Sequence, residues 1–414
     1  MRLLHTSDWH LGRSLHGVDL TEGLAAYLDH LVDLARQVRP AATLVAGDVY
    51  DRAVPPVGAV QLLEESLTRL AELTQVIVIS GNHDSATRLG FAAGLMRPEI
   101  KLVTRLDQIG RAVEVADPDG GPGALIYPAP FLDAYAAADY FSDQDNPVAR
   151  SHEAVTAAAL GRVRLDLARR GLGGVAGGDP AASDKAADAA NRQSRAANGR
   201  PATVVMGHAF VVGGAASESE RDLTVGGVAT VPVGVFAGID YVALGHLHGP
   251  QRIAAPEPQL IRYSGSPLAF SFSETGQTKS TAVVTLGGAS PAAELVPAPV
   301  PRPLSQVEGM IADLESRRFD DLADHWLRVT VTDPSRPEDL VQRLRRRFPH
   351  ALVIRHLPSG PALGGPGRPV TAASDPSRVV AEFIEFAGGA PPTEAELGEV
   401  GRALEAARRG GEGR

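Results

Sequence analysis

The sequence predicts an α/β layered fold, because short apolar runs alternate along it with amphipathic helical patterns. Five of the runs are interpreted as buried strands, and most of them have four residues that include β-branched side chains. They are residues 3–4, 43–46, 76–79, 203–206 and 241–244. A polar cluster follows each run, and ligands of such folds gather beyond the carboxyl ends of the strands. We therefore expect one site where the ends of these strands meet.

Two stretches between the first three runs have the periodicity of amphipathic helices. They cover residues 21–38 and 57–74, and their apolar side chains recur at intervals of three or four residues. The stripes consist of Leu24, Leu28, Leu31 and Ala35, and of Val60, Leu63, Leu67 and Leu70. Such stripes predict helices packed on the core, and a contact face between two copies of the chain is the alternative.

The later part of the chain changes in character. Residues 171–200 have almost no large apolar side chains, which predicts a flexible insertion. Residues 297–303 (PAPVPRP) have the composition of a stiff linker. The patterns beyond it predict a small α+β domain and a helical tail with a break. The expected elements are a helix near 305–318, a strand near 326–332, a helix near 337–348, a strand near 351–356, and tail helices over 376–409 broken near 388–392.

Composition restricts the chemistry of any site. The 414 residues are 44% hydrophobic, which suits a globular protein of two or three domains. The absence of cysteine excludes disulfides, thiolate metal sites and cysteine nucleophiles, so that a metal would need His, Asp, Glu or Asn ligands. No signal-peptide pattern and no apolar run of about 18 residues is present, and we expect a soluble cytoplasmic protein.

The formal net charge of −9 argues against a nucleic-acid-binding protein, because such proteins are more often basic. Two considerations weaken that argument. Several of the acidic residues would be neutralised by metal ions, and a partner subunit can supply a basic surface.

The first two polar clusters are rich in carboxylates. Asp8 and His10 follow the first run at a spacing of two, which in a strand directs both side chains to the same side. Gly47, Asp48 and Asp51 follow the second run. Glycine permits a sharp turn, and the two oxygens of a carboxylate can bridge two cations. Taken singly, each cluster is more typical of a surface turn than of a metal site.

The other three clusters supply an amide and imidazoles. The sequence Gly-Asn-His-Asp at residues 81–84 includes Asn82 and His83, and His208, His246 and His248 follow the last two runs. Oxygen and imidazole ligands without sulfur suit Mn²⁺, Fe or Zn²⁺. The ligands are too numerous for one ion but suit two ions that share a carboxylate. Paired ions are a recurrent device for phosphoester hydrolysis, since they lower the pKa of bound water and offset charge on phosphate.

The ordered motifs DxH, GDxxD, GNHD, GH and GHxH resemble those of the calcineurin-like metallophosphoesterases. The segments HTSDWHLGR, VAGDVYDRAVPP, GHLHGPQRI and YSGSPLAFSFSE resemble more specifically the SbcD-type nucleases, relatives of the archaeal and eukaryotic double-strand-break nuclease. The resemblance is strong up to about residue 275 and looser over 296–358. It implies a four-layer β-sandwich flanked by helices, with a small α+β capping domain and a helical C-terminal tail.

The resemblance also implies roles for individual residues. It assigns Asp8, His10 and His248 to one metal ion, Asn82, His208 and His246 to a second, and Asp48 to both. It assigns to His83 contact with the scissile phosphate or protonation of the leaving oxygen. Asp51 would pair with His83 and orient it, although some nuclease relatives carry His at that position.

The activity implied by the resemblance is Mn²⁺-dependent hydrolysis of DNA phosphodiester bonds in repair, recombination and replication. It includes 3′–5′ exonuclease action on duplex ends and endonuclease action on single strands and hairpins. The implied partner is an SbcC-type ABC ATPase with a coiled coil, joined to a homodimer of this chain in a nucleoid-associated heterotetramer. Residues 1–295 would form the nuclease domain, 296–360 a capping and DNA-binding domain, and 361–414 the ATPase-binding segment. Arginines 343, 345, 346 and 347 would contact phosphate, or form a solvated helix face.

The sequence also leaves two alternative functions open. One is a stand-alone phosphoesterase acting on a small phosphodiester or a phosphoprotein with the same metal site, since fold does not fix substrate. The other is a non-catalytic DNA-end scaffold, which would be expected to have lost some of the ligands that are all present here.

Overall fold

The computed structural model describes residues 1–172, 199–220, 230–256, 258–288, 290–358, 375–388 and 391–411. The described chain divides into two compact units, Met1–Leu304 and Ser305–Arg414. Of the predicted insertion at 171–200, residues 173–198 lie outside the described ranges. Among the described helices, none has the length and apolar character needed to cross a membrane.

The first unit is built mainly from strands. They are, in chain order, β1 (Arg2–Thr6), β2 (Ser14–Leu15), β3 (Val18–Asp19), β4 (Ala42–Ala46), β5 (Gln75–Ile79), β6 (Ile100–Val103), β7 (Val113–Val115), β8 (Ala124–Pro128), β9 (Ala202–His208), β10 (Phe210–Val211), β11 (Thr230–Val231), β12 (Tyr241–Gly245), β13 (Gln251–Ile253), β14 (Leu260–Tyr263), β15 (Ser280–Thr285) and β16 (Ala292–Pro297). The five predicted strands are confirmed as β1, β4, β5, β9 and β12.

Two six-stranded sheets form the centre of this unit. The strand order is β16-β15-β1-β4-β5-β6 in the first sheet and β13-β14-β12-β9-β8-β7 in the second. Strands β1, β4 and β5 are parallel neighbours, and so are β9 and β12. The polar residues that follow these five strands are therefore delivered to the same edge of the two sheets.

The two sheets pack face to face through one apolar cluster to which both contribute. Leu44 and Ile77 come from the first sheet, and Ile126 and Val204 from the second. All four side chains have no exposed surface, and burial of this kind contributes about 25 cal/mol per Å² of apolar area. This core holds the strand ends in fixed relative positions.

Helices cover the outer faces of the sandwich. The helices of this unit are α1 (Thr21–Val38), α2 (Val57–Ala71), α3 (Ala86–Leu89), α4 (Ala134–Phe141) and α5 (His152–Arg169), with 3-10 turns at Ala93–Leu95, Leu106–Gln108, Val233–Phe236 and Phe272–Glu274. Helices α1 and α2 pack together, and α2 packs on β5. Helix α5 packs on the second sheet. The α/β four-layer arrangement is thereby confirmed.

Both amphipathic helices of the sequence are confirmed as α1 and α2. The stripe of α1 is buried, with Leu24 and Leu31 at 1% exposure or less. In α2, Leu63 and Leu67 are buried but Val60 is 43% exposed. Core packing within the chain therefore accounts for the stripe of α1 and for most of that of α2.

The second unit has a three-stranded sheet in the order β17-β18-β19. Its elements are β17 (Leu304–Gly309), α6 (Ile311–Leu314), a 3-10 segment (Arg317–Leu322), β18 (Trp326–Val331), α7 (Leu340–Arg347), β19 (Ala351–His356), α8 (Pro376–Gly388) and α9 (Glu394–Gly411). The predicted helix at 305–318 is wrong over residues 305–309, which lie in β17, and within the range only Ile311–Leu314 form an α-helix. Val307, Ile311 and Leu314 have helical spacing, but Val307 lies in a strand that is paired in the sheet.

Candidate metal centre

The ends of β1, β4, β5, β9 and β12 bring the predicted site residues into one buried cluster. His208 Nδ1 lies 2.9 Å from the carbonyl oxygen of Ala46, which joins the two sheets at this edge. The backbone N–H of His246 donates to both carboxylate oxygens of Asp8, at 3.0 and 3.2 Å. Residues far apart in sequence therefore share one small volume.

The ligand loops have an unusual backbone conformation. Asp8, His10, Asp48 and His246 have φ values of 54°, 45°, 48° and 106°, in the left-handed region that L residues rarely adopt. Such residues cost about 1–3 kcal/mol each and tend to cluster at functional sites. Strand geometry was therefore the wrong reason for pairing Asp8 with His10, because β1 ends at Thr6 and both residues lie in the loop beyond it.

One group of potential ligand atoms comes from Asp8, His10 and His248, and these atoms lie within 4.8 Å of one another. The Nε2 atoms of His10 and His248 are 3.2 Å apart. The three residues are at most 1% exposed. A carboxylate and two imidazoles that converge in this way form a suitable set of ligands for a divalent cation.

A second group surrounds Asp48. Its Oδ2 lies 3.4 Å from His208 Nε2 and 3.6 Å from His10 Nε2, so that this carboxylate lies between the two groups. Asn82 Oδ1 lies 2.9 Å from His208 Nε2. The ring of His246 packs edge-on to that of His208, with 5.4 Å between the centroids. Asp8, Asp48 and His208 also have ligand atoms within 4.8 Å of one another.

Main-chain carbonyl groups fix the tautomers of two histidines. A carbonyl oxygen only accepts, so His208 Nδ1–H donates to Ala46. His83 Nδ1–H likewise donates to the carbonyl oxygen of Asp51 at 2.8 Å. With Nδ1–H donated to a carbonyl group, Nε2 is the atom of each ring that faces the cluster, 3.4 Å from Asp48 Oδ2 in His208 and 4.0 Å in His83. In His208 this arrangement leaves Nε2 to bind a metal, as is usual for histidine ligands.

The link between His83 and Asp51 runs through the main chain. The carboxylate of Asp51 lies instead 3.5 Å from His10 Nδ1 and 3.3 Å from Arg13 Nη1. The Arg13 guanidinium also lies over the ring of Phe270, 4.7 Å from its centroid. The Asp51 side chain therefore contacts a predicted metal ligand and an arginine.

Two glycines allow the loops to approach this closely. Gly47 has a φ of 90°, and a Cβ on it would overlap the ring of His208. A Cβ on Gly81 would overlap the carboxylate of Asp48. The glycines in the motifs GD and GN thus have a steric function at the site.

The electrostatics of the cluster favour a bound cation. Burial raises the pKa of Asp8 to about 6 and lowers the pKa of His10 to about 3. Burial opposes protonation of His208, but the charge and hydrogen bond of Asp48, with the charge of Asp8 and the carbonyl group of Ala46, together outweigh burial and raise the pKa of His208 to about 9. Buried carboxylates need a compensating positive charge. Together with the oxygen and imidazole donors, this fits the divalent metal ions that the fold implies.

Several residues beneath the site were missed by reasoning from the sequence. Ser7 Oγ donates to Asp8, and Glu220 accepts from the backbone N–H of His248. Ser219 and Glu274 lie behind the imidazole of His248. A signal for Glu274 was present, since it ends the segment YSGSPLAFSFSE, but its role depends on contacts between distant parts of the chain.

Comparison with known proteins gives two family matches. Residues 1–250 match the family described as calcineurin-like phosphoesterase, and residues 300–383 match SbcD_C, described as type 5 capsule protein repressor C-terminal domain. The chain is similar to the solved structure of TT1561 of Thermus thermophilus, with 12% identity, a TM-score of 0.38, and coverage of 71% of this chain and 98% of that one. It is also similar to a dimetal phosphatase from Danio rerio, with 14% identity, a TM-score of 0.37, and coverage of 69% and 92%. The first family match spans more than half of the chain.

Proposed function

The chain belongs to the calcineurin-like phosphoesterase family, and we propose that it is a metal-dependent DNA nuclease that processes double-strand ends. The family match makes it a metal-dependent hydrolase, and the two domains together support an SbcD-type nuclease subunit. Our proposal adds the substrate, which is DNA. It comprises 3′–5′ exonuclease action on duplex ends and endonuclease action on single strands and hairpins.

The proposal rests on the presence, in one chain, of the buried cluster and of a region that matches the SbcD C-terminal domain. The cluster provides the chemistry for phosphoester hydrolysis but does not select a substrate. The match at residues 300–383 favours DNA over a small phosphodiester or a phosphoprotein.

We assign Asp8, His10 and His248 to one divalent ion, and Asn82, His208 and His246 to a second, with Asp48 shared. When bound, such a pair supplies Lewis-acid activation of water and compensates charge on the phosphate. The support for Asp48 as the shared ligand is its position, with Oδ2 within 3.6 Å of both His10 and His208. Mn²⁺ is our proposed metal.

His83 is our candidate for the residue that protonates the leaving sugar oxygen. Its Nδ1–H is held by the carbonyl oxygen of Asp51, and its Nε2 is directed to the cluster, 4.0 Å from Asp48. The side chain is 14% exposed, so that a substrate can reach it. Imidazole is the side chain best suited to hold and release a proton near neutral pH. Asp51 contributes by fixing this ring through its main chain.

The remaining regions carry the proposed partners. We assign residues 296–360 to capping of the site and binding of DNA, and 361–414 to an SbcC-type ABC ATPase with a coiled coil. The helical tail supports the second assignment, because α9 presents side chains that are mostly exposed over residues 394–405. A homodimer of this chain within a heterotetramer completes the proposal.

The test is a substrate comparison with the purified chain and Mn²⁺. Hairpin DNA, single-stranded DNA and duplexes labelled at either end are incubated beside bis(p-nitrophenyl) phosphate. The Asp48→Asn variant serves as the control for contaminating nucleases. We expect cleavage of all three DNA forms, loss of label from 3′ ends first, and no cleavage by the variant.

Hydrolysis of the small ester without cleavage of DNA, even with an SbcC-type ATPase and ATP present, would leave a phosphoesterase of another specificity. Binding of DNA ends without hydrolysis of any ester would indicate the scaffold instead.

A further inference from the structure

A buried ion pair lies directly behind the cluster of candidate metal ligands. Lys279 and Glu274 are 3% and 1% exposed, and the Lys279 ammonium donates to Glu274 Oε2. Burying two charges usually costs more than their attraction returns, unless further hydrogen bonds satisfy both groups. A well-packed apolar pair would often be at least as stable. A contribution to stability therefore does not by itself account for this ion pair.

The ammonium of Lys279 holds the main chain of a proposed metal ligand. It donates to the carbonyl oxygen of His248 at 2.9 Å and to Ser266 Oγ at 3.0 Å. Lys279 immediately precedes strand β15, whose backbone is fixed in the first sheet. His248 lies in the loop beyond β12 of the second sheet. The lysine thus ties this loop to the other sheet.

The carboxylate of Glu274 holds the imidazole of the same histidine through Ser219. Ser219 Oγ lies 2.6 Å from Glu274 Oε1 and 2.6 Å from His248 Nδ1. The carboxylate is the strongest acceptor in reach, so the hydroxyl proton of Ser219 is directed to Glu274. The hydroxyl oxygen then accepts from His248 Nδ1–H. This leaves the lone pair on Nε2, the atom that faces His10.

We propose that Glu274 and Lys279 are positioning residues that fix His248 as a metal ligand. Lys279 sets the place of its backbone, and Glu274, acting through Ser219, sets its ring orientation and tautomer. The inference rests on the proposed assignment of His248 to a metal ion. It adds a unit of three residues, in which Glu274 and Lys279 are buried and Ser219 is partly buried, and which acts on the site through His248.

The experiment measures Mn²⁺ binding by calorimetry and by EPR spectroscopy. The EPR spectrum of an exchange-coupled pair of Mn²⁺ ions differs from that of isolated ions. Wild type is compared with Ser219→Ala, Glu274→Gln and the double variant Glu274→Gln/Lys279→Met. Loss of such an outer partner typically weakens metal affinity about 10–100-fold. We expect a loss of this size at one of the two sites, and weakening of the coupled signal, in all three variants.

The variants differ in their risk of misfolding. Glu274→Gln leaves Lys279 buried without its partner, whereas the double variant removes both charges and Ser219→Ala changes no charge. Ser273→Ala is the matched control, since Ser273 is exposed and bonds to Glu218 and Ser271 but not to His248. Circular dichroism and thermal unfolding verify that each variant is folded.

Two results would overturn the inference in distinguishable ways. If wild type binds two Mn²⁺ and His248→Ala loses one, while Ser219→Ala and the double variant bind both as wild type does, the positioning role is wrong and the metal centre stands. If wild type itself binds no pair of ions, the proposed metal assignment fails together with this inference.

Discussion

The Nε2 atoms of His10 and His248 lie 3.2 Å apart in the interior, although 238 residues separate the two in sequence. Both side chains are at most 1% exposed. Two imidazole nitrogens this close must share either a proton or a cation. The carboxylates of Asp8 and Asp48 nearby favour the cation.

The first prediction concerns that pair. His10→Ala should reduce bound Mn²⁺ from two ions to one per chain and weaken binding at least about 100-fold, since a ligand matters more than the outer partners, whose loss costs about 10–100-fold. Mass-spectrometric metal counting and calorimetry measure both effects. His16→Ala, which removes an exposed imidazole, is the control. Retention of two ions by His10→Ala would remove this residue from the ligand set.

The second prediction tests the proton donor. His83→Ala should slow DNA cleavage by about 10²–10⁴-fold, the usual contribution of a general acid. A p-nitrophenyl ester should be slowed much less, because its leaving group departs without a proton. The comparison of the two rate losses, with Mn²⁺ stoichiometry measured alongside, separates acid catalysis from loss of metal. Equal losses on both substrates would contradict the assignment.

The third prediction concerns Asp84, whose carboxylate ties two ligand loops together. It accepts the backbone N–H groups of Val49, Tyr50 and Gly81 at 3.1, 2.9 and 2.9 Å. Asp84→Ala should lower the free energy of unfolding by about 3 kcal/mol, since each buried donor left unpaired costs about 1–3 kcal/mol and such losses do not add fully. Urea unfolding in the presence of a chelator measures this loss of stability.

Asn at position 84 keeps one acceptor oxygen, so Asp84→Asn should lose less stability than Asp84→Ala. A decrease of less than about 0.5 kcal/mol in the free energy of unfolding of the alanine variant would show that Asp84 contributes no more than an ordinary surface residue.

The fourth prediction is a pH dependence from His5, which is buried in β1 and lies 2.7 Å from the Tyr241 hydroxyl. Burial, with the nearby charge of Arg262, lowers its pKa from 6.5 to about 3. Between these values the unfolded chain binds a proton that the folded chain does not. Stability from this group is therefore present above pH 6.5 and lost as pH falls toward 3.

Lowering the pH from 7 to 5 should reduce the contribution of His5 to the free energy of unfolding by about 2 kcal/mol, at about 1.4 kcal/mol per pH unit. Other buried histidines add to the wild-type dependence, so the measured quantity is the difference between wild type and His5→Asn, which keeps a polar atom near the tyrosine. Chelated protein is unfolded with urea at both pH values. Identical pH dependence of the two proteins would show that His5 does not contribute.

The fifth prediction concerns DNA contact by the second unit. Arg343 and Arg347 pair with Glu315 and Asp320, whereas Arg345 and Arg346 are exposed and form no ion pair with a described residue. Arg345→Glu/Arg346→Glu should weaken duplex binding and reduce the slope of log affinity against log salt by about 0.9 per lost phosphate contact. Arg343→Gln is the matched control, and an unchanged slope in the double variant would exclude these contacts.

The sequence by itself determined the strands, the two main helices and the clustering of polar residues at strand ends. Apolar runs and helical stripes record burial directly, because each element must bury one face or both. The edge at which Asp8, Asp48, Asn82, His208 and His246 meet followed from the parallel order of the strands. The sequence did less well at Val307, where helical spacing over a few residues concealed a strand.

Only the tertiary structure decided how each ligand is held. The left-handed backbone at Asp8 and Asp48, the main-chain link from Asp51 to His83, and the hold of Glu274 on His248 all involve groups brought together by the packing of two sheets. No local pattern encodes such contacts, because each joins atoms whose separation along the chain is unrelated to their separation in space. Residue types fix which chemistry is available, and the packing of the sheets fixes which atoms face one another.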